Sequence, residues 1–134
     1  MIDREPNDLF QEFTEVPYEH AGAVAATVVH KLRTVQRPMR VEKVEYVLPA
    51  GYTQDAANFY TIELRKGATV IASWSCQTGQ QGTIAPDTFV NLVLSATDVN
   101  RVCVAGDVLS LALVKSAAAA NLPLGRICAH CKYV

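Results

Sequence analysis

The stretch Asn58-Phe59-Tyr60-Thr61-Ile62-Glu63-Leu64-Arg65-Lys66-Gly67 decides the fold. Tyr60, Ile62 and Leu64 are apolar, and Thr61, Glu63 and Arg65 between them are polar. Side chains of a strand point to opposite faces in turn, so a period of two sends one row to a core and the other to solvent. A helix would scatter the same apolar residues around its circumference. The aromatic and β-branched content also favours strand. Lys66-Gly67 then breaks the run, and a second apolar stretch starts at Thr69. Two runs joined so closely read as a hairpin.

The same rhythm continues outward. Val90, Leu92 and Leu94 alternate with Phe89, Asn91 and Val93, and Leu109, Leu111 and Leu113 alternate with Val108, Ser110 and Ala112. Further strands are expected over 24–33, 40–48, 69–76, 101–104 and 126–133. In 40–48 the row Val44, Tyr46, Leu48 is regular while Val41 falls on the other parity, which a bulge near Glu42-Lys43 reconciles. Pro49-Ala50-Gly51, Gly79-Gln80-Gln81-Gly82, Ala105-Gly106-Asp107 and Pro123-Leu124-Gly125 punctuate the runs as turns. Ser95-Ala96-Thr97-Asp98 is suited to start one helical turn before Arg101. Ser116–Asn121 has helical propensity but is too short to hold alone, and is read as a loop. Short strands at this spacing imply an all-β chain, an antiparallel β-sandwich of jelly-roll type, occupying residues 23–134 as one domain.

Residues 1–22 have a different texture. Charges are frequent, Pro6 and Pro17 interrupt, and Leu9, Phe10, Phe13 and Val16 are spaced like one helical stripe. Asn7 or Asp8 is placed to cap a short helix. We expect an extended or partly helical N-terminal arm whose apolar residues Leu9, Phe10, Phe13 and Val16 bind a partner subunit. The alternative is an element packed on its own domain.

Composition removes several function classes. The 134 residues carry a net charge of −1, too even a balance for a whole-chain grip on nucleic acid or an anionic membrane. The longest apolar run, Val108–Val114, is far shorter than the roughly 20 residues of a membrane helix. The opening residues Met1-Ile2-Asp3-Arg4-Glu5-Pro6 lack the basic and apolar regions of a secretory signal, so none is expected. Charged residues make up 19%, below the roughly 25% of ordinary soluble domains, which fits a chain that hides surface in an assembly.

No constellation for catalysis stands out. Phosphate loops, nucleophile elbows and His-Glu-x-x-His helices are missing from the sequence, and His20, His30 and His130 are isolated along it. We expect no enzyme and no cofactor. Cys76, Cys103, Cys128 and Cys131 are expected to remain thiols. Cys128-Ala129-His130-Cys131 resembles half of a zinc site, but no second half exists, and a strand would send residues 128 and 131 to opposite faces. No metal is therefore expected. Lys31, Arg33, Arg37 and Arg40, with Lys43, form a basic run with little acid. It reads as a contact edge toward a protein partner, or as edge-strand charge that discourages aggregation. Without interleaved aromatic residues it is not a nucleic-acid surface. Trp74, between Ser73 and Ser75, reads as a core or interface anchor. The loop Thr78–Thr83 is uncharged and glycine-rich, suited to project.

The order of these pieces carries a likeness. The arm precedes Asn58–Gly67, then Phe89-Val90-Asn91-Leu92-Val93-Leu94-Ser95, Ala105-Gly106-Asp107-Val108-Leu109-Ser110-Leu111 and Leu122-Pro123-Leu124-Gly125-Arg126. Over most of residues 24–134 the chain resembles small virion proteins of tailed bacteriophages, of the capsid decoration or cement type. The resemblance implies a non-enzymatic protein made in the host cytoplasm and carried on the capsid exterior. It implies a homo-oligomer, commonly a trimer, whose partner is the major capsid protein. Similar texture occurs in tail-fibre and baseplate domains that bind receptors or glycans, which is the alternative reading.

Overall fold

The alternating runs fold as strands because each carries one row of side chains that must leave water. The computed structural model describes residues 12–134, so Leu9 and Phe10 lie outside the described residues. The elements are β1 (Phe13–His20), β2 (Val28–Thr34), β3 (Met39–Val47), β4 (Tyr60–Lys66), β5 (Thr69–Ser75), β6 (Val90–Asn91), β7 (Val93–Leu94), α1 (Asp98–Arg101), β8 (Val102–Cys103), β9 (Val108–Lys115) and β10 (Gly125–Tyr133). They form two antiparallel sheets. The first has the order β1-β10-β3-β6, with β8 also on β3, and the second has the order β2-β9-β4-β5-β7.

The pairing is nested. β1 pairs with β10, β2 with β9, β3 with β6, and β4 with β5. A chain doubled back at the β4–β5 turn and then wrapped around itself gives this order, which is the jelly-roll topology. The doubling point is the Lys66-Gly67 hairpin read from the sequence. Gly67 has φ +58° and donates its N–H to Val108 O at 3.1 Å. A left-handed glycine at the first loop position matches the twist of the flanking strands.

The core lies between the sheets. Val41, Val44 and Tyr46 of β3 and Ile127 and Ala129 of β10 face Ile62 and Leu64 of β4 and Leu109, Leu111 and Leu113 of β9, all within one buried cluster. The bulge in β3 is where parity required it. Cys131 opposes Val41 and His130 opposes Lys43, so Glu42 stands unopposed and exposed, and Val41 and Val44 both reach the core. α1 is the expected single helical turn. In the middle of β9 the outward Ser110 and Ala112 are buried too, because these small side chains lie beneath longer neighbours. Glu63 and Arg65 stand opposite them on β4, joined at 2.6 Å.

Two expectations change. The run 89–94 is not one strand: β6 belongs to the first sheet and β7 to the second. The chain crosses at Leu92, which is buried and donates to Val44 O at 2.9 Å. The described part of the 1–22 segment is body rather than a helical stripe. Phe13–His20 pairs along its whole length with β10, and Val16 is in the core, 3% exposed. Pro17 is tolerated because β1 is an edge strand with no second partner to receive its missing N–H. Tyr18 OH lies 3.2 Å from His30 Nδ1 of β2, and Arg33 donates to Thr14 Oγ1 and Glu15 O, so this side of the sandwich is laced shut. Among the described residues no helix is long and apolar enough to cross a membrane.

Candidate functional site

The outward row of the first sheet gathers the polar side chains of three long strands. Register places Glu15 of β1 opposite His130 of β10, Pro17 opposite Cys128, and Cys128 opposite Glu45 of β3. His130 sits between two carboxylates. Its Nδ1 is 3.1 Å from Glu15 Oε2 and its Nε2 is 2.7 Å from Glu45 Oε1. The other oxygen of Glu45 is 3.4 Å from Lys43 Nζ. His130 and then Lys43 hold the Glu45 carboxyl below the usual carboxylate range. Cys128, half-buried beside them, has its thiol pushed up by burial and by the charges of Glu15 and Glu45. The result is a compact acid–imidazole–thiol group on an otherwise rigid wall.

Two shallow hollows flank this group. One is lined by Phe13, Thr14, Glu15, Glu42, Lys43, His130 and Cys131. The other is lined by Pro17, Tyr18, Glu19, Phe89, Arg126, Ile127 and Cys128. Each has an exposed aromatic at its margin: Phe13 is 68% and Phe89 62% exposed. Single exposed apolar side chains are common on protein surfaces, so what marks these two is their place beside the hollows.

The residues singled out in the sequence are distributed as follows. Phe13 and Val16 share β1 but face opposite ways, Phe13 outward and Val16 inward. The basic run does not make one edge. Lys31 and Arg33 lie on β2, Arg37 lies in the connection to β3, and Arg40 lies on β3. Arg33 is spent on β1. Arg37 pairs with Glu12 at 2.9 Å and covers the Tyr133 ring at 4.0 Å, while Arg40 approaches Asp98 of α1 at 3.7 Å. Lys31 is exposed. Trp74 is a brace: its indole N–H donates to Gly82 O at 3.1 Å. The Thr78–Thr83 loop is strapped down too, with Gly82 N–H on Ser75 O, Gln81 Oε1 receiving Ser75 N–H, and Thr83 Oγ1 receiving Gln54 N–H.

All four cysteines are thiols, with Cys76, Cys103 and Cys131 buried. Burial pushes the Cys76 and Cys131 thiols up to about 12. Cys131 faces inward and Cys128 outward, which is the separation that a strand imposes on the Cys128–Cys131 spacing. Sequence reasoning missed Glu15 and Glu45 as companions of His130. The alternation of Cys128 and His130 on one strand is visible locally, but the strands on either side are not.

Comparison with protein-family models gives no match, and comparison with curated proteins gives none. Among solved structures, the chain is similar to a chain in a structure of infectious bursal disease virus, Gx strain, at 11% identity and a TM-score of 0.40. The match covers 92% of this chain and 32% of that one, so this chain spans about a third of the solved chain's length.

Proposed function

We propose that this chain is a structural, non-enzymatic virion component that decorates and cements the outside of a capsid. In this reading it docks across neighbouring major capsid protein subunits. The observation that carries the reading is the outer face of the first sheet, where exposed Phe13 and Phe89 border two hollows on a wall of three long paired strands. A stiff face keeps its shape on contact, and each aromatic that is covered contributes about 1.5–3 kcal/mol. Many copies on one shell turn such modest contacts into firm attachment. Jelly rolls serve as capsid domains and also as lectin and cupin domains, so the topology is compatible with this role without selecting it. A trimer would present three such faces together.

Quantitative mass spectrometry of purified virions from the genome encoding this chain tests the proposal. Multiple copies per particle are expected, and absence from particles overturns it. Immunogold label on tails instead of heads would replace it with a receptor- or glycan-binding role. Phe13→Ser and Phe89→Ser, both at exposed positions, are expected to lower particle occupancy severalfold while leaving the melting temperature unchanged.

A further inference from the structure

We propose that Glu15, Cys128 and His130 form a binding site for a zinc-type divalent cation on the outer face of the first sheet, with Glu45 as the carboxylate that orients His130. Cys128 and His130 are two residues apart on β10 and share the outward row. β1 brings Glu15 opposite His130, one pair along from Cys128. One ligand atom from each of the three residues lies within 4.8 Å of the others. Bonds of about 2.0–2.3 Å in a tetrahedral zinc site place ligand atoms about 3.3–3.8 Å apart. Closing the gap takes about 1 Å of side-chain rotation. Glu15, with its side chain 64% exposed, is free to make it.

The hydrogen bonding points the same way. When His130 Nε2–H donates to Glu45 Oε1 at 2.7 Å, the Nδ1 lone pair faces Glu15 Oε2 at 3.1 Å. That sets acceptor against acceptor, a contact made favourable either by a proton on Nδ1 or by a cation that both atoms ligate, and the nearby Cys128 thiol supplies a third ligand for the cation. A metal ion placed there gives His130 the usual arrangement of a ligating imidazole, one nitrogen on the metal and the other held by a carboxylate. Lys43 steadies Glu45 through its second oxygen. Thiolate, imidazole and carboxylate together select a zinc-type ion over magnesium or calcium, which take oxygen ligands. Three protein ligands leave a fourth position for water or for a ligand from a docked neighbour. The Cys128–Cys131 spacing fails as a zinc motif because Cys131 faces the core, and the third ligand comes from the neighbouring strand instead.

The test uses the full, untagged chain, reduced and freed of metal with a chelator. Calorimetry with zinc is expected to give saturable binding of one ion per chain. Cobalt(II) is expected to give a thiolate-to-metal charge-transfer absorption and tetrahedral d–d bands. Cys128→Ser should abolish the charge-transfer absorption. Glu15→Gln should weaken zinc at least about tenfold, and Glu45→Gln about 10–100-fold with the absorption retained. The substituted positions face outward, and melting curves without metal confirm that each variant folds. No saturable zinc binding by the wild-type chain overturns the proposal. So does a charge-transfer absorption that survives Cys128→Ser, or zinc affinity unchanged in Glu15→Gln.

Discussion

His20 ends β1 with its ring inside the sandwich, 1% exposed and stacked on Tyr46. Nδ1–H donates to Ala21 O at 3.0 Å, and Nε2 accepts the Tyr46 hydroxyl at 2.6 Å. The partners thus assign one neutral tautomer. A Cβ at Gly125, which pairs with His20, would lie 2.8 Å from both His20 Nε2 and Tyr46 OH, so β10 needs glycine there. Burial lowers the His20 pKa below its ordinary 6.5. The unfolded chain then binds a proton near pH 6.5 that the folded chain refuses until lower pH, so stability is full above 6.5 and is lost as pH falls through the window below it. We expect the melting temperature to decline on acidification from pH 7, and His20→Gln to flatten that decline. An unchanged slope in His20→Gln would remove His20 as the cause. Asp55, whose carboxyl is held low by the N–H groups of Asn58 and Ala57, acts only further down, in the carboxylate range, so the windows separate. Tyr46→Phe leaves Nε2 buried without a donor and should cost about 1–3 kcal/mol at pH 8, read by denaturant titration.

At the scale of elements, the β5 strand and the loop after it form one unit. Trp74 reaches forward to Gly82 O, and Ser75 receives Gly82 N–H on its carbonyl while giving its own N–H to Gln81. Trp74→Phe keeps an aromatic ring but removes the pyrrole half of the indole with its N–H donor. We expect amide exchange over residues 77–82 to quicken several-fold while the β4 and β9 amides stay protected, since local opening needs only the local bonds. Equal quickening in all three would mean that Trp74 supports the whole sheet. Most elements were legible by parity. Val41 against Val44 announced the bulge at Glu42, and Gly67 announced the hairpin. The division of 89–94 was hidden because Leu92 faces the core from either sheet, so crossing between sheets leaves the alternation intact. β1 was obscured by Leu9, Phe10, Phe13 and Val16, whose spacing resembles a helix, while the inward row of Val16, Tyr18 and His20 is the one the sheet uses. The polar group on the outer face needed the register of β1, β10 and β3, which local sequence does not encode.

At the scale of the molecule, the nested pairing joins the first described strand to the last. β1 closes the edge of the first sheet and is laced to β2 of the second through Tyr18–His30 and Arg33. It also contributes Val16 and His20 to the interior. A chain beginning at residue 21 would therefore expose the β10 backbone as a new edge and open one side of the core. Unpaired edges of that kind template association with other chains. Loss of Val16 alone removes about 1.5–3 kcal/mol of burial, a large part of the roughly 5–15 kcal/mol that holds a domain of this size. We expect the truncated chain to lose its cooperative thermal transition, to bind a hydrophobic dye at room temperature and to aggregate at micromolar concentration. A sharp transition within a few degrees of the full chain would show instead that residues 13–20 are an attachment to the sandwich rather than one of its walls. Pairing across the whole length of the chain also defers much of the stabilising contact to late in folding, because loop closure must precede it. Refolding of the intact chain should accordingly take milliseconds to seconds, measured by stopped-flow fluorescence of Trp74, and loss of the full amplitude within the mixing dead time would contradict late closure of the sheets.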